Sequence, residues 1–176
     1  MIPINLILAA DEDNGIGFGN SLPWHFSQEL RYFARVTTQT FSEKKINAVI
    51  MGRNTWNSLP HKPLKNRVNM VLSSTPLEGV LVFPSLSKAI ANCRTRPDLE
   101  SIFIIGGARL YQDIVEMNLW YKLFLTRVCG SFACDIRLPE IADIETSTLP
   151  VKTVQEMNMR DGKMYEYKHY VIDNVK

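Results

Sequence analysis

The feature that most restricts this sequence is an alternation of short, β-branched apolar runs with stretches of helical spacing. The runs fall near Ile4–Ala10, Asn47–Met51, Arg67–Leu72, Val80–Phe83 and Ser101–Ile105, each bounded by turn residues. Helical spacing falls near Phe26–Thr37, Ser85–Arg96 and Ala108–Met117. That order predicts an α/β fold, a sheet with helices on its faces. The tail changes character. Trp120–Val128 reads as a strand, and Val151–Arg160 and Lys163–Ile172 flank Asp161-Gly162, a strong signal for a tight hairpin. The expectation is one α/β domain over 1–176: a central, mostly parallel mixed β-sheet with an antiparallel C-terminal hairpin edge and flanking helices. No internal repeat, low-complexity segment or interdomain linker interrupts it.

Composition removes several classes of function. A chain of 176 residues, 45% hydrophobic and 22% charged, can bury a core without a metal or disulfide. A formal net charge of +2, with no stripe of lysines and arginines among aromatics, argues against nucleic acid. It leaves room for a small anionic ligand held by a few well-placed cations. Cys93, Cys129 and Cys134 are odd in number and have no CxxC spacing, so they read as free thiols. His25, His61 and His169 stand far apart and form no HExxH pattern, so no metal site is expected. The apolar start has no basic region before it and runs into acids, as a first strand does and a signal peptide does not. No window approaches the roughly 18 apolar residues of a membrane span. Free thiols without an export signal predict the cytoplasm.

The first helix carries the most informative acid. At about 100° per residue, Phe26, Leu30, Phe33, Val36 and Thr37 share one face, and Ser27, Gln28, Arg31 and Arg35 share the other. Glu29 falls inside the apolar arc, and its i+3 and i+4 neighbours, Tyr32 and Phe33, offer no cation. Two readings stand. The carboxylate is either desolvated beside a ligand cavity, with a raised pKa, or lies at the stripe's edge and bends out to water.

Three turns follow buried strands with one grammar. Ile105 leads into Gly106-Gly107 and a helix from Ala108, a geometry suited to a phosphate or to a tight turn needing positive φ. Met51 leads into Gly52-Arg53-Asn54-Thr55, and Leu72 into Ser73-Ser74-Thr75-Pro76. Together they suggest a ligand with several phosphates along the carboxyl edge of the sheet. Arg53 and the two serines suit a phosphate monoester such as the 2′-phosphate of NADP; each alone reads equally as a helix cap or solvated charge. Gly15-Ile16-Gly17-Phe18-Gly19-Asn20 has the wrong spacing for a dinucleotide fingerprint and reads as a mobile, glycine-hinged loop leading to Leu22-Pro23-Trp24. Arg67, at the entry of its strand, could clamp a carboxylate or remain a surface charge. No order of Ser, His, Asp or Cys favours nucleophilic catalysis.

Read in order, these segments resemble dihydrofolate reductases from Ile4 to about Tyr170. The resemblance rests on Gly15-Ile16-Gly17, Leu22-Pro23-Trp24 and Glu29-Leu30-Arg31-Tyr32-Phe33. It continues through Val49-Ile50-Met51-Gly52-Arg53-Asn54-Thr55-Trp56, Pro60 and Pro63-Leu64-Lys65-Asn66-Arg67. It ends on Ile105-Gly106-Gly107, Tyr111 and Leu125-Thr126-Arg127.

The resemblance implies an NADPH-dependent oxidoreductase that passes hydride to C6 of 7,8-dihydrofolate while a proton reaches N5, giving tetrahydrofolate for one-carbon metabolism. It assigns catalytic positions to Glu29, Trp24, Leu22 and Tyr111. Glu29 would accept from the pterin's amino and ring N–H groups, supported by Thr126, and Trp24 would order a water. Substrate contacts would come from Ile7, Ala9, Leu30, Phe33, Leu59, Leu64, Arg67 and Ile105, with Arg67 on the glutamate α-carboxylate. The cofactor would meet Ala9, Ile16, Gly52, Arg53, Asn54, Thr55, Leu72, Ser73 and Ser74. It would also meet Gly106 and Gly107, joined by a cis peptide in this family, and Ala108, Arg109, Leu110 and Tyr111. Arg53 predicts NADPH over NADH. Expected ligands are dihydrofolate and antifolate inhibitors, and the expected state is a monomer unless the chain belongs to a thymidylate synthase fusion.

Three residues depart from the family's common pattern. Asn66 replaces a frequent glycine but tolerates left-handed backbone, so the turn is kept. Ile136 after Asp135 displaces a frequent threonine and its hydrogen bond, and Ala34 offers the folate tail less polar contact. A pyrimidine reductase of riboflavin synthesis is the rival enzyme, although it would not need Glu29, Trp24 and Arg67 together. A non-catalytic nucleotide- or folate-binding protein is the rival of another class.

Overall fold

An apolar run without alternation suits a strand covered on both faces. In the computed structural model, which describes residues 1–138 and 149–174, each apolar run forms a strand. These are β1 (Ile4–Asp11), β3 (Ile46–Gly52), β4 (Arg67–Leu72), β5 (Leu81–Phe83), β6 (Leu99–Ile104) and β7 (Lys122–Val128). Of these, β1 and β3, at the centre of the sheet, are the most continuously buried. The tail adds β9 (Lys152–Met157) and β10 (Met164–Asp173), and a separate pair joins β2 (Gly15–Gly17) to β8 (Ile136–Arg137). The helices among the described residues are α1 (Ser27–Thr38), α2 (Arg53–Ser58), α3 (Leu86–Arg94) and α4 (Ala108–Glu116).

The main sheet has eight strands in the order β5-β4-β3-β6-β1-β7-β10-β9. Pairs from β5 to β7 are parallel, and β10 runs antiparallel to both β7 and β9. The expected mixed sheet with an antiparallel C-terminal edge is what forms. Alternate residues divide two cores. Leu6, Leu8, Ala48, Ile50 and Ile104 meet α3 and α4 through Ile90 and Ile114. Ile7, Val49, Met51, Phe103 and Ile105 lie on the opposite face with Trp56 of α2 and Phe33 and Val36 of α1.

The chain leaves β1 for β3, steps outward to β5, then returns to insert β6 between β1 and β3. The carboxyl ends of β4, β3 and β6 are therefore neighbours. Gly52 pairs with Leu72, and the Gly52 N–H donates to the Gly106 carbonyl at 2.8 Å. The three turns singled out in the sequence lie along one edge.

Local expectations shift in four places. Helix ends move by one or two residues, as fraying termini do. The turn expected at residues 52–55 is the start of a helix, α2, with Gly52 as its N-cap. The Asp161-Gly162 hairpin is wider than a two-residue turn: Asn158 N–H bonds the Lys163 carbonyl at 2.8 Å, and Gly162 but not Asp161 has positive φ (70°). Asp161 instead accepts from the Lys163 N–H and the Tyr165 hydroxyl, so its side chain, not a primed turn, closes the loop.

Fourth, Gly15–Asn20 is a hydrogen-bonded hairpin as well as a loop. Phe18 and Ser21 exchange backbone bonds at 2.9 and 3.0 Å around Gly19 and Asn20, both at positive φ. The fully buried Asp11 carboxylate accepts from the N–H groups of Gly15 (2.7 Å), Asp13 (3.0 Å) and Phe132 (2.9 Å), which fixes the base of the segment. A Cβ at Gly15 would sit 2.6 Å from Cys134 Cβ and 2.9 Å from Asp11 Oδ1. Gly15→Ala is expected to cost about 1–3 kcal/mol through overpacking, read as a lower urea midpoint at unchanged slope. An unchanged midpoint would contradict this packing.

Candidate active site

Helix α1 delivers Glu29 to the sheet. Its first turn has no side-chain cap from Phe26, but the Glu156 carboxylate of β9 accepts the Gln28 N–H at 2.9 Å and complements the positive helix end. At the other end, Asn47 Nδ2 donates to the carbonyls of Thr37 (3.1 Å) and Gln39 (2.9 Å). Between these anchors Glu29 is only 7% exposed, so it does not bend out to water.

Glu29 Oε1 accepts from the Thr126 hydroxyl at 3.1 Å, and no salt bridge among the described residues includes it. Burial pushes the carboxyl up to about 7; the Thr126 hydrogen bond pulls it down, and the charge of Glu156 raises it further. Such an acid suits a ligand that brings its own N–H donors.

The surrounding predicted residues come from both sides of α1. Trp24 is 2% exposed, and its indole N–H meets no acceptor among the described residues, leaving a buried donor for a water or ligand. Leu22 and Ala9 are half-buried against the Trp24 cluster. Ile7 and Ile105 are buried, Phe33, Leu59 and Leu64 half-buried, and Leu30 exposed.

Arg67 is oriented by the protein. Its Nη1 donates to Thr37 Oγ1 at 2.8 Å and its Nε to the Lys65 carbonyl at 2.9 Å, while burial lowers its pKa. Asn69 bonds Leu64 N–H, Leu64 carbonyl and Arg67 carbonyl, tying down the turn between them. Asn66 takes φ 58° in that turn, the left-handed backbone expected of it.

On the other side, Gly106-Gly107 is a cis peptide, and Gly107 caps α4 without a side-chain bond. Gly106 has φ 112°, and a Cβ there would meet Tyr111 Oη at 3.3 Å and Thr55 Oγ1 at 3.5 Å. Only glycine suits both constraints. Tyr111 is buried and donates its hydroxyl to the Ile7 carbonyl at 2.8 Å, which ties α4 to β1; burial raises its pKa well above the tyrosine range. Arg53 and Asn54 are exposed, and Arg53 Nη1 donates to Thr75 Oγ1 at 2.9 Å beside Ser73, whose hydroxyl bonds the Thr75 carbonyl. Gly52, Thr55, Leu72, Ser73 and Ala108 are half-buried, Ser74 is exposed, and Leu110 is buried. Ile16 is half-buried in β2. Arg109 is exposed and pairs with Asp113 at 3.1 Å.

A sequence model of dihydrofolate reductases matches residues 3–172. The chain belongs to the dihydrofolate reductase family. It is similar to the dihydrofolate reductase of Heliothis virescens, at 41% identity over 150 residues, covering 80% of each chain. That of Drosophila melanogaster is 37% identical over 179 residues, covering 96% of this chain and 97% of the relative. That of Rattus norvegicus is 35% identical over 181 residues, covering 96% of each. Family membership leaves the riboflavin-pathway pyrimidine reductase without support.

Two residues were not singled out as site residues, one inside a family motif and one outside all of them. His169 of β10 is 2% exposed, with Nδ1 3.0 Å from Thr126 Oγ1, and Tyr32 of α1 stacks on its ring at 3.7 Å. A single histidine in a tail strand gives no local signal of this contact. Only the β7–β10 register, which pairs His169 with Thr126, brings it in.

Proposed function

We propose that this chain reduces 7,8-dihydrofolate to tetrahydrofolate with NADPH, using Glu29 as its pterin anchor. The observation that carries this reading is the buried Glu29 carboxylate, free of any cationic partner among the described residues and bonded to Thr126.

The residues present fit the cofactor. Gly106 leaves room that a Cβ would fill, and the uncapped start of α4 offers backbone N–H groups. Arg53, Ser73, Ser74 and Thr75 provide a cation and hydroxyls at the ends of neighbouring strands, the donor set a phosphate monoester requires. When bound, NADPH supplies the hydride.

The chain's own work is positioning. Glu29 accepts the pterin's amino and ring N–H groups, and its negative charge favours protonation at N5. It lies on the wrong edge for direct transfer, so that proton arrives through solvent, with the Trp24 N–H holding a water. Phe33 and Leu30 flank the folate rings, and Arg67, pre-set by Thr37, receives the α-carboxylate. Antifolates would use the same acid. No helix among the described residues is long and apolar enough to cross a membrane. A cytoplasmic monomer is part of the proposal, resting on free thiols and the absence of an export signal in this sequence.

The test follows NADPH absorbance in the presence of dihydrofolate. Wild-type protein is expected to oxidise NADPH only with dihydrofolate present. Arg53→Ala is expected to raise KM for NADPH about tenfold with little change for NADH. No dihydrofolate-dependent oxidation would overturn the function, and equal effects on both nucleotides would overturn the role of Arg53.

A further inference from the structure

His169 lies outside the residues that the family motifs assign, yet it completes the shell behind Glu29. It faces Thr126 across the β7–β10 pair and Lys152 across the β10–β9 pair. From α1 it meets Tyr32, stacked at 3.7 Å and 27°; from its own strand it meets the edge of Tyr167 at 5.4 Å and 72°. Its ring plane is thus held from two sides.

With Glu29 ionised, above a pH of about 7, the hydrogen-bond inventory assigns its tautomer. An ionised carboxylate can only accept, and the Thr126 hydroxyl has one hydrogen. That hydrogen goes to Glu29 Oε1 at 3.1 Å. The 3.0 Å contact between Thr126 Oγ1 and His169 Nδ1 must therefore be a bond in which Nδ1–H donates and the hydroxyl oxygen accepts. Burial, Lys152 and Arg35 together hold the imidazole down to about 4, so it is neutral at physiological pH and carries a single N–H. With the hydrogen on the other nitrogen, a bare Nδ1 would compete for the Thr126 hydrogen and Glu29 would lose its donor.

We propose that His169 is a positioning residue for Glu29: as the Nδ1–H tautomer it orients the Thr126 hydroxyl so that its hydrogen stays directed at the Glu29 carboxylate. The chain Nδ1–H to hydroxyl to carboxylate polarises along its length and sustains the charged form of Glu29. Its functional meaning rests on the reading of Glu29 as pterin anchor. Its test needs no substrate, so failure of the inference and failure of that reading are distinguishable.

The first measurement is long-range proton–nitrogen NMR on the whole, unliganded wild-type chain labelled with 15N-histidine, above pH 7. A neutral ring protonated on Nδ1 is expected for His169; a ring protonated on Nε2 overturns the proposal. The second titrates the Glu29 carboxyl by 13C NMR, assigned as the resonance lost in Glu29→Gln. His169→Phe keeps a flat ring but removes the donor, and is expected to raise the Glu29 midpoint by about 0.3–0.5 unit. His169→Asn can place an amide N–H near the position of Nδ1–H and is expected to keep the wild-type midpoint. Equal midpoints in Phe and Asn variants, shifted or not, overturn the proposal. Should the Phe variant not fold, the tautomer measured in wild-type protein still decides.

Discussion

Replacing Glu29 with alanine is expected to lower kcat/KM for dihydrofolate by about 100- to 10,000-fold. On the proposed anchoring, two charge-assisted hydrogen bonds to the pterin are at stake, each worth about 1.5–3 kcal/mol when one partner is charged. At about 1.4 kcal/mol per factor of ten, losing both gives that range. No second acid can substitute. Glu156, whose charge reaches Glu29, already accepts the Gln28 N–H and the Tyr167 hydroxyl. Glu29→Gln preserves shape but turns an amide N–H toward ligand donors, so its loss should be comparable. The decrease should include kcat, because a charge that favours protonation at N5 acts more strongly in the transition state than in the bound substrate. NADPH affinity should stay within about threefold of wild type, since Arg53 and Ser73 belong to the other side of the site. The check is steady-state kinetics alongside NADPH titration of each variant. Activity within tenfold of wild type in Glu29→Ala would remove the anchor from the mechanism.

What the sequence disclosed depended on whether the relevant neighbours lay close in the chain. The strands were legible because the middle of β3 and the end of β6, residues 48–51 and 102–104, are buried on both faces and need only continuous apolar residues. Glu29 was legible only in part: helical periodicity put it inside the apolar arc but left open whether it bends out to water, and the anchors that bury it, Glu156 and Asn47, are distant in sequence. Gly106 was legible as a turn, and its positive φ explains why the residue is glycine. Other features depend on distant pairing. Glu156 caps α1 from β9, β2 exists only because β8 pairs with it, and the contact of His169 with Thr126 requires the antiparallel register of β10 on β7. The hairpin misreading has a local cause of another kind. Asp-Gly signals a primed turn when both residues take positive φ, but Asp161 gains two side-chain bonds in a wider loop.

The same pair of buried groups yields the second large effect, on stability against pH. Glu29 rises from an ordinary 4.5 to about 7 in the folded chain, while His169 falls from 6.5 to about 4. A raised acid binds its proton more tightly when folded, so Glu29 contributes stability at low pH that is lost as pH rises through about 7. A depressed imidazole does the reverse: His169 contributes stability above 6.5 that is lost as pH falls through about 4. Each shift corresponds to about 3 kcal/mol over its window. Between pH 4.5 and 6.5 the two slopes oppose one another, so this pair should add almost no pH dependence to wild-type stability. Removing either member exposes the other. Relative to wild type, Glu29→Gln should become progressively more stable as pH rises from 4.5 to 7, and His169→Phe should become progressively more stable as pH falls from 6.5 to 4. For a chain of this size, 3 kcal/mol corresponds to a change in Tm of about 6–12 °C. Urea midpoints or calorimetry on all three proteins, in buffers of matched ionic strength, read these differences directly. Parallel pH curves for wild type and both variants would show that neither group titrates differently in the folded and unfolded chain.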